Sequence, residues 1–321
     1  MQVAYEILKH LQDGRFHSGA RLAQMLGVAR TNIWKGIHFL KTLNIEIYAV
    51  RGRGYRLAHA IEMLDKTKIL ASLDRSVHIH LQQLDILNLT TSTNDYLIKR
   101  LHPHLNFIAC AAEGQSLGRG RLGRKWESPF GVNLYFSIFK SFNIPLMQLP
   151  CVSLVTALAV VSAIHTLTDG ASLLIKWPND IIYDGKKVGG ILAEQVSKLG
   201  TVIGIGLNVS PYEKNLSGIM QPISSLERIF SKTISRNALT AALLNHLIPY
   251  YVKFEKYGFN YFQSEWQQFD ALKGHTISLS TANGIYKGRC LGVNDRGEIC
   301  IIKQGIQYAF HCGEASIIKK N

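Results

Sequence analysis

The sequence predicts an α+β protein in three parts: a helical module closed by a hairpin, a mixed α/β centre and a strand-rich tail. Three observations carry that prediction. Helical spacing with well-placed caps fills the N-terminal stretch; from about Ile69 short β-like runs alternate with helices; beyond about Leu272 only short alternating strands and glycine turns remain. The expected boundaries are 1–64, 65–270 and 271–321. A chain of 321 residues with 47% apolar and 18% charged content is long enough for two or three compact cores and unlike a disordered one.

In the first part, Val3, Ile7, Leu8 and Leu11 fall at helical spacing and Gly14 ends the run. Ser18 suits the N-cap of a second helix, with Leu22, Met25 and Leu26 inward and Gly27 closing it. A third helix starts near Ala29 and runs through Ile33, Ile37 and Leu40. A strand, Ile45–Val50, then leads into Arg51-Gly52-Arg53-Gly54 and Tyr55-Arg56-Leu57, a hairpin with two arginines at its tip. Two helices about a glycine turn, followed by such a hairpin, form the pattern of a winged helix-turn-helix, whose second helix lies in the DNA major groove. Arg30, Thr31, Asn32, Trp34 and Lys35 on the third helix would then face the bases, and Arg51 and Arg53 the phosphates or a narrow minor groove. A helical cap on an enzyme is the alternative. Two features depart from a good reading helix: Gly36 lowers helix propensity, and Ala29 is a poor cap.

Charge bears on the choice. The chain carries +14, which suits nucleic acid, nucleotide phosphates or an acidic partner, and an evenly solvated basic surface is the plain alternative. The excess is uneven: nine Lys and Arg within residues 1–60 face only Glu6, Asp13 and Glu46.

In the centre, strands are expected at Val77–Leu81, Phe107–Ala112, Leu134–Phe139, Leu173–Trp177 and Val202–Leu207, and helices at Asn94–Arg100, Leu149–Thr166 and Asn237–Tyr257. Strand order cannot be read from spacing. The densest chemical signal is Glu113 to Trp126, EGQSLGRGRLGRKW. Gly118, Gly120 and Gly123 let the backbone curl close to a ligand with N–H groups free for anionic oxygens. Arg119, Arg121, Arg124 and Lys125 add the positive charge that phosphate chemistry needs. The segment is neither a P-loop nor a dinucleotide fingerprint. An RNA-binding glycine–arginine loop remains open at this point.

A second cluster, Lys176-Trp177-Pro178-Asn179-Asp180, precedes an Asp184-Gly185 turn and Lys187-Val-Gly-Gly. The turn would return Lys187 close to Asp180, and Gly189 and Gly190 suggest close approach of a ligand. Thr91-Ser92-Thr93-Asn94 forms a third, in which one hydroxyl caps a helix and the others are left for a small polar ligand.

The remaining signals exclude alternatives. Cys151–Ile164 is too short and too interrupted to span a membrane and reads as a buried helix. MQVAYEILKH reads as an amphipathic helix, not a secretion leader. Five cysteines without CxxC pairs are expected to be reduced cytosolic thiols, with Cys290, Cys300 and Cys312 as small buried hydrophobes. His78/His80 and His102/His104 have no third ligand, so no protein-only metal site is expected.

The sequence resembles the biotin–protein ligases of the bifunctional bacterial type that also repress biotin synthesis. STN at 92–94, GRGRLGRKW at 118–126, SPFG at 128–131, KWPND at 176–180, KVGGIL at 187–192 and GIGLNV at 204–209 carry the resemblance over essentially the whole chain. It implies a central domain of the class II aminoacyl-tRNA synthetase and biotin ligase type and an SH3-like barrel for the tail. It further implies that biotin's carboxylate attacks the α-phosphate of ATP, with Mg2+ assisting, and that a lysine of the biotin carboxyl carrier protein of acetyl-CoA carboxylase then attacks the adenylate. By motif, Ser92, Thr93, Asn94 and Gln115 hold the biotin head group, enclosed by Gly118, Arg119, Gly120 and Arg121. Arg119 and Arg121 steady carboxylate and phosphates, and Lys187 belongs to the biotin-binding set and reaches the adenylate's bridging oxygens. Arg121, Arg124, Trp126, Asn179 and Asn208 border the adenylate, and Asp180 contacts the metal or takes the proton of the incoming lysine. The stretch Gln221–Ser224 lacks the tryptophan that family members commonly fold over the adenylate. The resemblance also implies operator DNA as a partner and a ligand-dependent homodimer, in which the adenylate orders the mutually repelling cations of the loop. A sensor without enzymatic activity, a lipoate or octanoate ligase, and a ligase with a vestigial N-terminal module are the rival readings. All of these roles require Arg119 and Lys187 to share one cavity.

Overall fold

The computed structural model describes residues 2–168, 172–196, 199–212 and 222–318. Helices α1 (Gln2–Leu11), α2 (Gly19–Leu26) and α3 (Arg30–Thr42) pack around Ile7, Leu8, Leu22, Ile33 and Leu40. Ser18 caps α2 by accepting the Arg21 N–H, and Gly27 ends it in the left-handed region at φ 63°. Met25 faces solvent, not the core, because the short α2 buries only Leu22 and Ala23. Strands β1 (Ile47–Val50) and β2 (Gly54–Leu57) form the expected hairpin. Gly36 turns out to serve helix packing: a Cβ there would lie 2.6 Å from Ile7 Cδ1, so glycine is what lets α3 press onto α1.

This module joins the rest through a strapped connection. Glu62 accepts the Ser235 hydroxyl at 2.7 Å and the Arg236 N–H at 2.6 Å, and Leu64 N–H donates to buried Glu113 at 2.5 Å. The Tyr5 ring stacks on Phe130, centroids 5.9 Å apart and planes 11° apart.

The centre contains α4 (Lys66–Ala71), α5 (Arg75–His80), β3 (Gln83–Leu87), α6 (Thr93–Ile98), β4 (Ile108–Ala112), β5 (Leu134–Lys140) and α7 (Cys151–His165). It continues with β6 (Leu174–Lys176), β7 (Asp180–Tyr183), β8 (Lys186–Val196), β9 (Gly200–Leu207), α8 (Leu226–Phe230), α9 (Arg236–Tyr257) and α10 (Gln263–Phe269). Its seven-stranded sheet runs β3-β4-β5-β9-β8-β7-β6, with β3 and β4 parallel and every other pair antiparallel. Val77–Leu81 is helical, not a strand. Val77, Ile79 and Leu81 imitate a two-residue period, but only Val77 is buried while Ile79 is 75% exposed.

Strands β10 (Thr276–Thr281), β11 (Gly284–Val293), β12 (Ile299–Lys303), β13 (Ile306–Phe310) and β14 (Glu314–Ile317) form a five-stranded antiparallel sheet in the order β13-β12-β11-β10-β14. Its inner side chains, among them Ile277, Leu279 and Ile301, belong to the same apolar core as α7, α9 and the central sheet. Trp177 fastens the two sheets, its indole N–H donating to Gly297 O at 3.1 Å.

Cys290 and Cys300 are buried as expected, whereas Cys312 is exposed because it lies in the turn after β13. Burial pushes the Cys290 thiol up to about 11 and that of Cys151 up to about 12. Among the described residues no helix is long and apolar enough to cross a membrane.

Candidate active site

The sheet, the N-terminus of α6 and the glycine–arginine segment enclose a cavity of about 800 Å³. Arg119 and Lys187 both line it, together with Ser92, Thr93, Asn94, Gln115, Gly120, Arg121, Arg124, Trp126, Asn179, Asp180 and Asn208. The single-cavity requirement is therefore met. Gly118 does not line it. A Cβ there would lie 2.5 Å from Trp126 O, so its glycine serves the closure of the loop onto itself.

The floor at one end is neutral and fully hydrogen-bonded. Ser92 caps α6 by accepting the Asp95 N–H, the capping role expected of one hydroxyl in the cluster. Thr93 donates its N–H to Gln115 Oε1 at 2.8 Å, and Gln115 Nε2 donates to Ser128 at 2.9 Å. The buried Ser137 hydroxyl sits 2.7 Å from Thr93 Oγ1 and 2.6 Å from Asn94 Oδ1. A ligand here meets oriented hydrogen-bonding groups in a dry setting, where each is worth more than in water.

The other end is cationic. The Asp184-Gly185 turn, with φ of 47° and 69°, folds β8 back along β7, and Lys187 Nζ lies 2.7 Å from Asp180 Oδ1. The same ammonium stands 5.4 Å from the Trp126 ring centre. Gly190 leaves room for both, since a Cβ would lie about 3.3 Å from Lys187 Nζ and from Trp126, while Gly189 is occupied by Leu207. Trp126 lies against Gly206, and its buried indole N–H has no partner among the described residues. Asn208 donates to Ser224 O at 3.2 Å, fixing the 222–224 segment beside Lys187. In that segment Pro222 O accepts the Lys187 N–H; Gln221 lies outside the described residues.

The loop cations do not repel one another freely as expected, because acids from three other elements meet them. Arg119 spans Asp95 and Glu194, Arg124 pairs with Glu314, and Lys125 pairs with Glu127 at 2.7 Å. Nor are all loop N–H groups free: those of Gly120, Arg124 and Trp126 donate within the loop. Arg121 differs. It donates to Asn179 Oδ1 at 3.1 Å and to Gly313 O at 3.2 Å, two neutral acceptors. Burial, opposed by the more distant Glu314 and Asp180, lowers its pKa. A half-buried guanidinium without a paired carboxylate among the described residues, in the same cavity as Lys187, is a place for an anion.

Sequence reasoning missed Asp95, Ser137, Glu194, Glu314 and the Gly313 carbonyl. No local signal marks them, since each acts through a partner far away in sequence.

Residues 86–210 match the biotin/lipoate A/B protein ligase family, and residues 4–56 match a helix-turn-helix domain. The bifunctional ligase/repressor BirA of Escherichia coli (strain K12) is 32% identical over 320 residues, covering 98% of this chain and 97% of the relative. The chain belongs to the bifunctional biotin ligase/repressor family. The family's Bacillus subtilis (strain 168) member, also BirA, is 32% identical over 292 residues, 89% of each chain. The fold is shared with the biotin protein ligase from Aquifex aeolicus in complex with biotin and ATP, at a TM-score of 0.66 and 29% identity, covering 75% of this chain and all of that one.

On the DNA-binding side, Arg30, Thr31, Asn32, Trp34 and Lys35 are all exposed on one helix, and Arg51 and Arg53 stand at the hairpin tip. Arg53 lies over the Phe16 ring, 4.4 Å from its centre. The hairpin is held close to its tip, where the His17 and Tyr55 backbones exchange hydrogen bonds of 2.9 and 2.8 Å.

Proposed function

We propose that this protein joins biotin to ATP as biotinyl-5′-AMP, passes the biotinyl group to a lysine of a biotin carboxyl carrier protein, and represses the biotin operon with the adenylate as corepressor. The observation that carries the reading is one cavity with a neutral, hydrogen-bonded end at Thr93, Asn94 and Gln115 and a cationic end at Arg121 and Lys187. Biotin has the matching polarity, a neutral urea at one end and a carboxylate at the other.

In the first step a biotin carboxylate oxygen forms a bond to the α-phosphorus and the bond to pyrophosphate breaks. Arg121 and Lys187 hold the charge that gathers on the phosphoryl oxygens, and Asp180 keeps the Lys187 ammonium in place. Trp126, Asn179 and Asn208 border the adenosine. In the second step the acceptor lysine's amine attacks the carboxyl carbon, the bond to AMP breaks and AMP departs, and the amine's proton passes to Asp180 or to water. Nothing becomes attached to the enzyme, so catalysis is positioning and electrostatics. Mg2+ would arrive with ATP and meet Asp180.

The N-terminal module reads the operator through α3 and the hairpin, and the adenylate promotes pairing of two chains on a two-fold operator in the cytosol. Labelled biotin supplied with ATP and an acceptor domain tests the enzymatic half: no incorporation by the wild-type chain would leave a sensor. Sedimentation tests the other half, for which an equal dimer fraction with and without adenylate would be fatal.

A further inference from the structure

A single carboxylate, Glu194 on β8, ties the floor of the cavity to the loop above it. Its Oε2 accepts the Asn94 amide at 2.6 Å, and both of its oxygens face Arg119 Nη2, at 3.0 and 3.2 Å. Arg119 reaches Asp95 with its other nitrogen at 3.0 Å, so its guanidinium is engaged by acids on α6 and β8.

The consequence for Asn94 follows from counting protons. Its side chain is buried, and its nitrogen has two N–H groups, one toward Leu192 O at 3.3 Å and one toward Glu194. A carboxylate can only accept, so a flipped carboxamide would set oxygen against oxygen. The Ser137 hydroxyl, 2.6 Å from Oδ1, supports the same orientation. Gly204 adds the space, since a Cβ there would fall 2.5 Å from Oδ1. With both N–H groups spent, Asn94 can offer only an acceptor to the cavity. The N–H groups of a cyclic urea suit that.

We propose that Glu194 is a positioning residue of the biotin end of the site, orienting Asn94 below and holding the glycine–arginine loop closed above through Arg119. The inference rests on the functional reading given above. Its test compares Glu194→Ala and Glu194→Gln with wild type in the full chain, reading KM for biotin, KM for ATP and the rate of tryptic cleavage within 119–125. E194A should raise KM for biotin roughly tenfold, the scale of one lost hydrogen bond to a charged group. E194Q, isosteric and still able to accept from Asn94, should raise it only about threefold. KM for ATP should stay put in both, and the loop should be cut faster in both. Combining E194A with Arg119→Ala should add less than the two single effects multiplied. Equal rises of both KM values, or an unmoved KM for biotin with unaltered loop cleavage, would overturn the proposal. If wild type transfers no biotin, the functional reading fails instead, and the cleavage rates still decide whether Glu194 holds the loop.

Discussion

The loop at 118–126 and the hairpin at 51–54 both mount arginines on a glycine frame, yet the two are finished differently. Arg119 and Arg124 meet Asp95, Glu194 and Glu314, whereas Arg51, like Arg30 and Lys35 on α3, has no ion-pair partner among the described residues. The first arrangement spends its charge inside the protein and keeps little beyond Arg121 and Lys187 for a small anion. The second leaves its charge on the surface, where counterions must be displaced. Binding at the first site should therefore depend weakly on salt, and binding at the second strongly.

Lys187→Ala gives the sharpest separation. Adenylate formation, followed by pyrophosphate exchange, should fall about a thousandfold, the upper range for losing one preorganised charge-stabilising donor. DNA binding by the unliganded chain should be unaffected, and a parallel loss there would erase the contrast. Exchanging Arg51 and Arg53 at the hairpin tip together for alanine should do the reverse. DNA affinity should drop, with the slope of log affinity against log salt smaller by about two, while biotin transfer proceeds as before. Gly36→Val is a milder probe. Its side chain would collide with Ile7 and Ala4, costing about 1–3 kcal/mol as overpacking and visible as earlier melting of the N-terminal module alone. The smallest effect concerns thiols. Native protein treated with iodoacetamide should be labelled rapidly at Cys312, with buried Cys110, Cys151, Cys290 and Cys300 reacting only after unfolding.

What could be read in advance follows the range of the forces. Helices α1 to α3, the Ser18 cap and the Gly27 stop are local, and the sequence states them openly. The Asp184-Gly185 turn is equally local, and it sufficed to bring Lys187 to Asp180. Errors arose where a local pattern was ambiguous: alternation at Val77–Leu81 suits an exposed helix face as well as a strand. Gly36 looked like a defect of α3 because its reason lies on α1. The acids of the loop are the extreme case. Asp95, Glu194 and Glu314 come from α6, β8 and β14, and only the closed fold shows that they answer the arginines.

The Trp177 indole reaching Gly297, the Ile175 carbonyl accepting the Ala271 N–H at 3.0 Å and the Arg121 hold on Gly313 all join the central part of the chain to the part after residue 270. Pruning the chain after residue 270 would expose apolar surface and strip Arg121 of a support, so no minimal enzyme should be obtainable that way. Removing the first 64 residues is a gentler operation, because that portion keeps most of its oily interior to itself. Evolution could thus exchange or discard the DNA-reading head while the tail travels with the ligase as an inseparable piece.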